Sequence, residues 1–218
     1  MNHLSFGNLK ISSTADGSKT LYSNRFNEHY HSTFGAASES NHVFIDAGYR
    51  ATTVDPVSVL EIGFGTGLNA WITMQQAGRL NRHTRYEAVE LYPIDELTVC
   101  ELSDNDLFRS LHVATWEQPV EITPEFVLYK RKSDLLQTAF THKFDVVYFD
   151  AFSPAVQPEM WSRNIFIGLY ATMNFGAVLT TYCAKGEVRR TMQSVGFVVE
   201  RLPGPAGKRE MLRAWKRL

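Results

Sequence analysis

A chain of 218 residues, 44% of them hydrophobic, can fill one core but is short for two domains. Its formal charge of −1 balances 22 Lys and Arg against 23 Asp and Glu, and its two cysteines, Cys100 and Cys183, lie far apart and fit no metal-ligand spacing. With no basic-then-apolar leader and no apolar run near ~18 residues, a disulfide framework, a bound metal, a secretory signal and a membrane-spanning helix are unexpected, and the expected address is the cytoplasm.

In chain order, residues 1–55 read as an N-terminal extension packed on the core and residues 56–218 as the main domain. The main domain opens on an apolar strand, Val57–Ile62, which runs into Glu61-Ile62-Gly63-Phe64-Gly65-Thr66-Gly67-Leu68-Asn69 and a helix over Leu68–Ala77. Glycines at alternate positions let the backbone take positive φ or approach a ligand, and the helix start aims free N–H groups above the sheet. A dinucleotide fingerprint requires one more glycine where Leu68 stands. What remains, acid-x-Gly-x-Gly-x-Gly, resembles the first motif of class I S-adenosylmethionine-dependent methyltransferases. An acid such as Glu61 suits the ammonium group of that cofactor. The next strand, Arg85–Leu91, carries Glu90, 23 residues past Gly67. A carboxylate there, at the end of the second strand, can accept both ribose hydroxyls.

Beyond it the pattern predicts a helix over Ile94–Leu102, a strand over Phe126–Lys130 and a helix over Ser133–Phe140, with Ser133 as its N-cap just before Asp134. A strand over Phe144–Asp150, a helix over Pro158–Met173, a strand over Ala177–Tyr182 and a helix over Lys185–Ser194 follow, then strands over Phe197–Leu202 and Met211–Lys216. Apolar strands alternating with amphipathic helices imply an α/β fold with a mostly parallel sheet covered on both faces. Between the last two strands lie too few residues for a crossover, so these two pair antiparallel. Asp150 ends its strand at the carboxyl edge of the sheet, where ligands of open α/β folds bind, and Pro154 and Pro158 stiffen the loop that sets Asp150 and Phe152 over the crevice.

Charge is distributed unevenly. Residues 185–218 hold nine Lys and Arg against three acids, so the preceding residues are net acidic. A concentrated basic end suggests a polyanion approaching one face.

At the level of whole motifs the chain becomes more specific. Tyr148-Phe149-Asp150-Ala151-Phe152-Ser153-Pro154-Ala155, Pro158-Glu159-Met160-Trp161, Thr180-Thr181-Tyr182-Cys183-Ala184-Lys185-Gly186 and Leu202-Pro203-Gly204-Pro205-Ala206-Gly207-Lys208-Arg209-Glu210-Met211 resemble the methyltransferase part of the MnmC family. The N-terminal Leu21-Tyr22-Ser23-Asn24-Arg25-Phe26-Asn27-Glu28-His29-Tyr30-His31 and Glu39-Ser40-Asn41-His42-Val43-Phe44-Ile45 match it too. The resemblance implies a class I methyltransferase fold, Rossmann-like, with a mostly parallel seven-stranded sheet, one antiparallel strand and an N-terminal extension. It implies S-adenosyl-L-methionine as cofactor, and as substrate the exocyclic amine of 5-aminomethyl-(2-thio)uridine at the wobble position of tRNA, met through the anticodon stem-loop.

The chain stops at Leu218, without the flavin domain of fused family members, so it resembles the stand-alone form and implies separate upstream tRNA-modifying enzymes. No metal and no membrane enter this scheme. The residues implied are Glu61, Gly63, Gly65, Gly67, Glu90 and Asp134 for the cofactor, and Asp150 and Phe152 where cofactor meets substrate, as the catalytic pair. Tyr30, Lys185, Lys208 and Arg209 are assigned to the nucleotide and its phosphates. An aspartate beside an ammonium would raise the amine's pKa, so Asp150 is expected to position the amine more than to deprotonate it. Two other readings stay open: a small-molecule amine methyl- or aminopropyltransferase, disfavoured because a cationic polyamine needs an acidic pocket, and a tRNA-binding module with a vestigial cofactor site.

Overall fold

The computed structural model describes residues 9–217; the first eight residues of the expected extension and Leu218 lie outside the described residues. Leu9–Ser13 (β1) and Lys19–Ser23 (β2) form an antiparallel hairpin, to which the two-residue strand Glu28–His29 (β3) adds. The hairpin turns at Asp16-Gly17, where the Asp16 carboxylate accepts from the Ser18 and Ser38 amides and Gly17 takes φ 81°, the turn chemistry that an Asp-Gly pair supplies. Ala36–Ser40 (α1) follows and runs on as a π-helical turn over Asn41–Asp46, then a 3₁₀ turn over Tyr49–Ala51.

The main sheet is built from Val57–Ile62 (β4), the helix Leu68–Leu80 (α2), Thr84–Glu90 (β5), the helices Glu96–Leu102 (α3) and Asp106–Val113 (α4), Pro119–Thr123 (β6), Phe126–Lys132 (β7) and Phe144–Phe149 (β8). The helix Arg163–Thr172 (α5), Met173–Thr181 (β9), the helix Gly186–Val195 (α6), Val198–Pro203 (β10) and Glu210–Trp215 (β11) complete it. Strand order is β10-β11-β9-β8-β4-β5-β7-β6. β4, β5, β7, β8 and β9 run parallel, and β11 lies reversed between β9 and β10, as the short Pro203–Lys208 connection requires. The seven expected strands are all present. An eighth, β6, extends the sheet by pairing antiparallel with β7 at its edge, so the sheet carries two reversed strands where one was expected.

Both faces are covered, as a parallel sheet demands. One face buries Val43, Phe44, Ile45 and Tyr49 of the N-terminal segment with Ala70, Ile72 and Met74 of α2, and the other buries Ile165, Phe166 and Leu169 of α5 with Val188 and Met192 of α6. A smaller cluster, Leu21, Val99, Leu102 and Phe108, seats the hairpin on α3 and α4. Among the described residues no helix is long and apolar enough to cross a membrane.

Two expected helices are shorter than the pattern suggested. Ser133–Phe140 contains only a 3₁₀ turn over Leu135–Gln137, and its N-cap is Asp134, whose carboxylate accepts from the Leu136 amide at 2.9 Å; Ser133 does not cap. Pro158–Met173 is interrupted at Ser162, whose ψ of 157° separates a 3₁₀ turn over Pro158–Trp161 from α5. Met173 opens β9 and ends no helix.

Candidate cofactor and substrate site

The carboxyl ends of β4, β5 and β8 converge and are tied to one another: the Gly63 amide donates to the Val89 carbonyl and the Asp150 amide to the Ile62 carbonyl, both at 3.0 Å. Above them opens a cavity of about 470 Å³. Its floor is Gly63, Phe64 and Gly65, flanked by Glu90, Asp134 and Asp150. Gly63 sits at φ 91°, and a Cβ there would stand 2.8 Å from the Asp150 carbonyl oxygen; at Gly65, φ 52°, a Cβ would stand 3.0 Å from the Tyr30 ring. Both positions therefore need glycine for backbone conformation and for space. Gly67 is the N-cap of α2 and is not part of the cavity wall.

Glu90 holds the glycine loop in place. Its Oε2 accepts from the Gly65 amide at 3.0 Å and its Oε1 from the Tyr92 amide at 2.7 Å. Burial raises its pKa, and those backbone donors oppose the rise. Each carboxylate oxygen keeps a further lone pair for a ligand. Asp150 is partly exposed to the cavity, and its Oδ2 accepts from Asn69 Nδ2 at 2.8 Å. Burial pushes the Asp150 carboxyl up to about 7, with the Asn69 amide opposing and the Glu39 charge adding to the rise.

Glu61 stands elsewhere. The expected direct contact with the cofactor is not supported by its position: it is 0% exposed and is not on the cavity wall. Alternation along β4 turns Ile62 to the cavity and Glu61 to the α2 side, where its Oε1 accepts from Asn69 Nδ2 at 2.9 Å. Burial drives its pKa well above the ordinary carboxylate range, and the Asn69 amide opposes the rise.

The opposite wall comes from the N-terminal segment: Tyr22, Phe26, Glu28, Tyr30, His31 and Phe34 all face the cavity. Phe152 meets this wall by stacking on Phe26 (ring centroids 4.4 Å apart, 27° between planes) and by an edge contact with Tyr30 at 5.1 Å. Its loop is fixed at four points. Ser153 N–H donates to Glu28 Oε2 at 3.0 Å, Phe152 N–H to Gln157 Oε1 at 3.2 Å, the Trp161 indole to the Phe152 carbonyl at 2.8 Å, and the Tyr182 hydroxyl to the Ala151 carbonyl at 2.9 Å.

Of the four residues expected to meet the nucleotide, Tyr30 and Lys208 line the cavity. Lys208 pairs with Glu39 and lies 4.2 Å from the Tyr182 ring centroid. Lys185 and Arg209 are exposed outside it, Lys185 within 4.0 Å of Glu187. Burial lowers His31, another wall residue, to about 4, so it is neutral at pH 7. Asn69, Glu39, His31 and Tyr182 also build the site and were not among the residues expected there. Asn69 lies inside the glycine motif and Tyr182 at the end of a strand, positions that carry a signal; Glu39 and His31 are placed only by the fold of the N-terminal segment. Among the described residues no cluster of His, Cys, Asp and Glu could hold a metal ion.

Residues 121–217 match a family described as S-adenosyl-L-methionine-dependent methyltransferase. The chain is 31% identical over 221 residues to the tRNA 5-methylaminomethyl-2-thiouridine biosynthesis bifunctional protein MnmC of Magnetococcus marinus, covering 89% of this chain and 32% of that protein. The protein of the same name from Cupriavidus necator is 32% identical, with 87% and 32% covered. The chain thus spans about a third of the length of the curated relatives it matches. Among solved structures, MNMC2 from Aquifex aeolicus superimposes with a TM-score of 0.82 at 23% identity, over 97% of this chain and 72% of that one. Spermidine synthase from Thermotoga maritima superimposes at 0.65 with 13% identity, over 99% and 71%; at such identities both likenesses establish the fold alone. A glycine loop that only glycine can form, an acid at the end of β5 and similarity along nearly nine tenths of the chain agree: residues 121–217 match the S-adenosyl-L-methionine-dependent methyltransferase family, and the chain is similar to the methyltransferase part of MnmC proteins.

Proposed function

We propose that this chain N-methylates the exocyclic amine of 5-aminomethyl-(2-thio)uridine at the tRNA wobble position, giving 5-methylaminomethyl-(2-thio)uridine. The observation that carries the reading is Asp150, poised between the glycine loop and the Phe26–Phe152 stack in one cavity. The wall fits S-adenosyl-L-methionine: Gly63 and Gly65 form a tight loop along its floor that no residue with a Cβ could form, and the carboxylates of Glu90 and Asp134 can accept from hydroxyls and amines. When bound, that cofactor supplies an electrophilic methyl group.

The chain's own residues do the rest. Glu90 is assigned to the ribose hydroxyls, Asp134 to the remaining polar edge, and Glu61 to a supporting position beneath the site. Phe152 and Phe26 offer an apolar face on which a splayed-out base can pack. Asp150 accepts an N–H of the incoming amine and points its lone pair at the reacting carbon, since positioning is the main contribution a protein makes to an in-line displacement. A protonated amine cannot attack. Desolvation by the aromatic wall favours the neutral form, and Asp150 titrating near 7 is a weaker attractor of the ammonium than an ordinary aspartate.

The approach of an anticodon stem-loop is supported by the basic C-terminal residues. A cytoplasmic setting accords with two free cysteines, Cys100 and Cys183. An aminopropyltransferase accepting polyamines is disfavoured by Lys208 in the cavity, which already neutralises Glu39. The test is transfer from methyl-labelled S-adenosyl-L-methionine. Label should enter tRNA bearing 5-aminomethyl-uridine and not free polyamine; label in the polyamine alone would reverse the assignment.

A further inference from the structure

Asn69 lies in the first turn of α2, two residues past Gly67, and is 2% exposed. Its amide nitrogen donates to two acids at once, Asp150 Oδ2 at 2.8 Å and Glu61 Oε1 at 2.9 Å. Its amide oxygen accepts from the Ser40 hydroxyl, at the end of α1. This set of partners admits one orientation. A flipped amide would turn its oxygen against Asp150 Oδ2 and lose that hydrogen bond, whereas in the observed orientation both N–H groups and the carbonyl are paired. One side chain therefore joins a cavity acid, a fully buried acid and the N-terminal helix.

We infer that Asn69 is a positioning residue for methyl transfer, anchoring Asp150 by Oδ2 so that Oδ1 is the oxygen presented to the acceptor amine. The inference rests on the reading of the site given above. Without an anchor a short carboxylate rotates about χ2, a broad torsion, and its hydrogen-bond direction to the amine is lost. The anchor also divides labour between the acids. The Asn69 amide stabilises a negative charge on Asp150, while burial raises the pKa of Glu61, which is sealed from solvent. An ionised Asp150 accepts from an amine through either lone pair, and a protonated one competes as a donor. Around Asp150 the other titratable groups are Glu61 on β4, Glu39 on α1, Lys208 on the β10–β11 turn and Tyr182 at the end of β9, with Tyr86 on β5 behind Glu61. Among them the amide is the hydrogen-bond donor aimed at both carboxyl groups.

The experiment follows the Asp150 carboxyl by ¹³C NMR in chain labelled at aspartate carboxyl carbons, its signal identified by loss in Asp150→Asn. The native midpoint should lie near 7. In Asn69→Leu it should move up by about one pH unit, and in Ser40→Ala, which frees the amide without deleting it, by less and in the same direction. Turnover of tRNA bearing 5-aminomethyl-uridine at pH 7 should fall at least about tenfold in Asn69→Leu, with the KM for S-adenosyl-L-methionine changed less than about twofold. An unmoved midpoint with native turnover in folded Asn69→Leu overturns the inference. Should that variant not fold, Ser40→Ala decides by the same two readouts. If the midpoints shift as expected while even the native chain methylates no tRNA, the substrate reading fails and the anchoring of Asp150 stands.

Discussion

Asp150 and Glu90 are both carboxylates at strand ends, yet their surroundings set different tasks. Asp150, whose pKa in the folded chain is raised to about 7, prefers its proton when folded. Its contribution to stability is fully present below the unfolded carboxyl pKa near ~4 and is lost as pH rises through about 7. Asp150→Asn should therefore raise folding stability by about 1–2 kcal/mol at pH 8 and leave it unchanged at pH 4, by denaturant melts at the two pH values. A gain that is the same at both would mean the carboxyl does not titrate in that window. Glu90 accepts two backbone amides and is assigned to the ribose. Glu90→Ala should weaken S-adenosyl-L-methionine binding by about 2–4 kcal/mol in a calorimetric titration, as a lost charge-assisted pair would. Unchanged affinity would remove it from the site. Alternation and strand-end position made both acids legible in the sequence, whereas Asn69 was passed over because its role depends on Asp150, 81 residues away in the chain.

Among the elements, the glycine loop and the N-terminal segment form the site jointly. Gly65 is tight against the Tyr30 ring, so Gly65→Ala should cost about 1–3 kcal/mol of stability or of cofactor affinity. Pairing it with Tyr30→Ala should recover the steric part of that loss and not the part due to positive φ. No recovery would place the whole cost in the backbone. The core strands were readable from apolar runs bounded by turn residues, and the β10–β11 hairpin from the length of its connection. The N-terminal hairpin was not read, although Asp16-Gly17 between two alternating segments is a hairpin signal; its short strands are only partly buried. The helix α4 and strand β6 escaped as well. α4 follows α3 after a break at the extended Ser103 and Asn105, where Asn105 caps it by accepting from the Phe108 amide. The overlong helices were misjudged where one residue, Asp134 or Ser162, redirects the backbone against a continuing apolar pattern.

At the scale of the whole molecule, the basic C-terminal residues divide into two groups. Lys208 points into the cavity and is tied to Glu39, while Arg209 on the same turn is exposed. Arg209→Ala should raise the KM for tRNA and flatten its salt dependence by about one phosphate contact, with cofactor affinity unaltered. Lys208→Ala should disturb the cavity as well, by releasing the Glu39 charge near Asp150. An identical salt slope in Arg209→Ala would make that arginine a solvated surface residue. The asymmetry of charge was visible in composition; which cations face the cavity was not, because that depends on how the β10–β11 turn meets α1.

In the proposed reaction Asp150 and the aromatic pair present one amine to the cofactor's methyl group. Its most direct test is mass spectrometry of nucleosides from tRNA bearing 5-aminomethyl-2-thiouridine after incubation with the purified chain and S-adenosyl-L-methionine. Conversion of that wobble nucleoside to 5-methylaminomethyl-2-thiouridine is expected, with Asp150→Asn lowering the rate at least about tenfold. A methyl group found on a base carbon, on a ribose or on another nucleotide, or full conversion by Asp150→Asn, would contradict it.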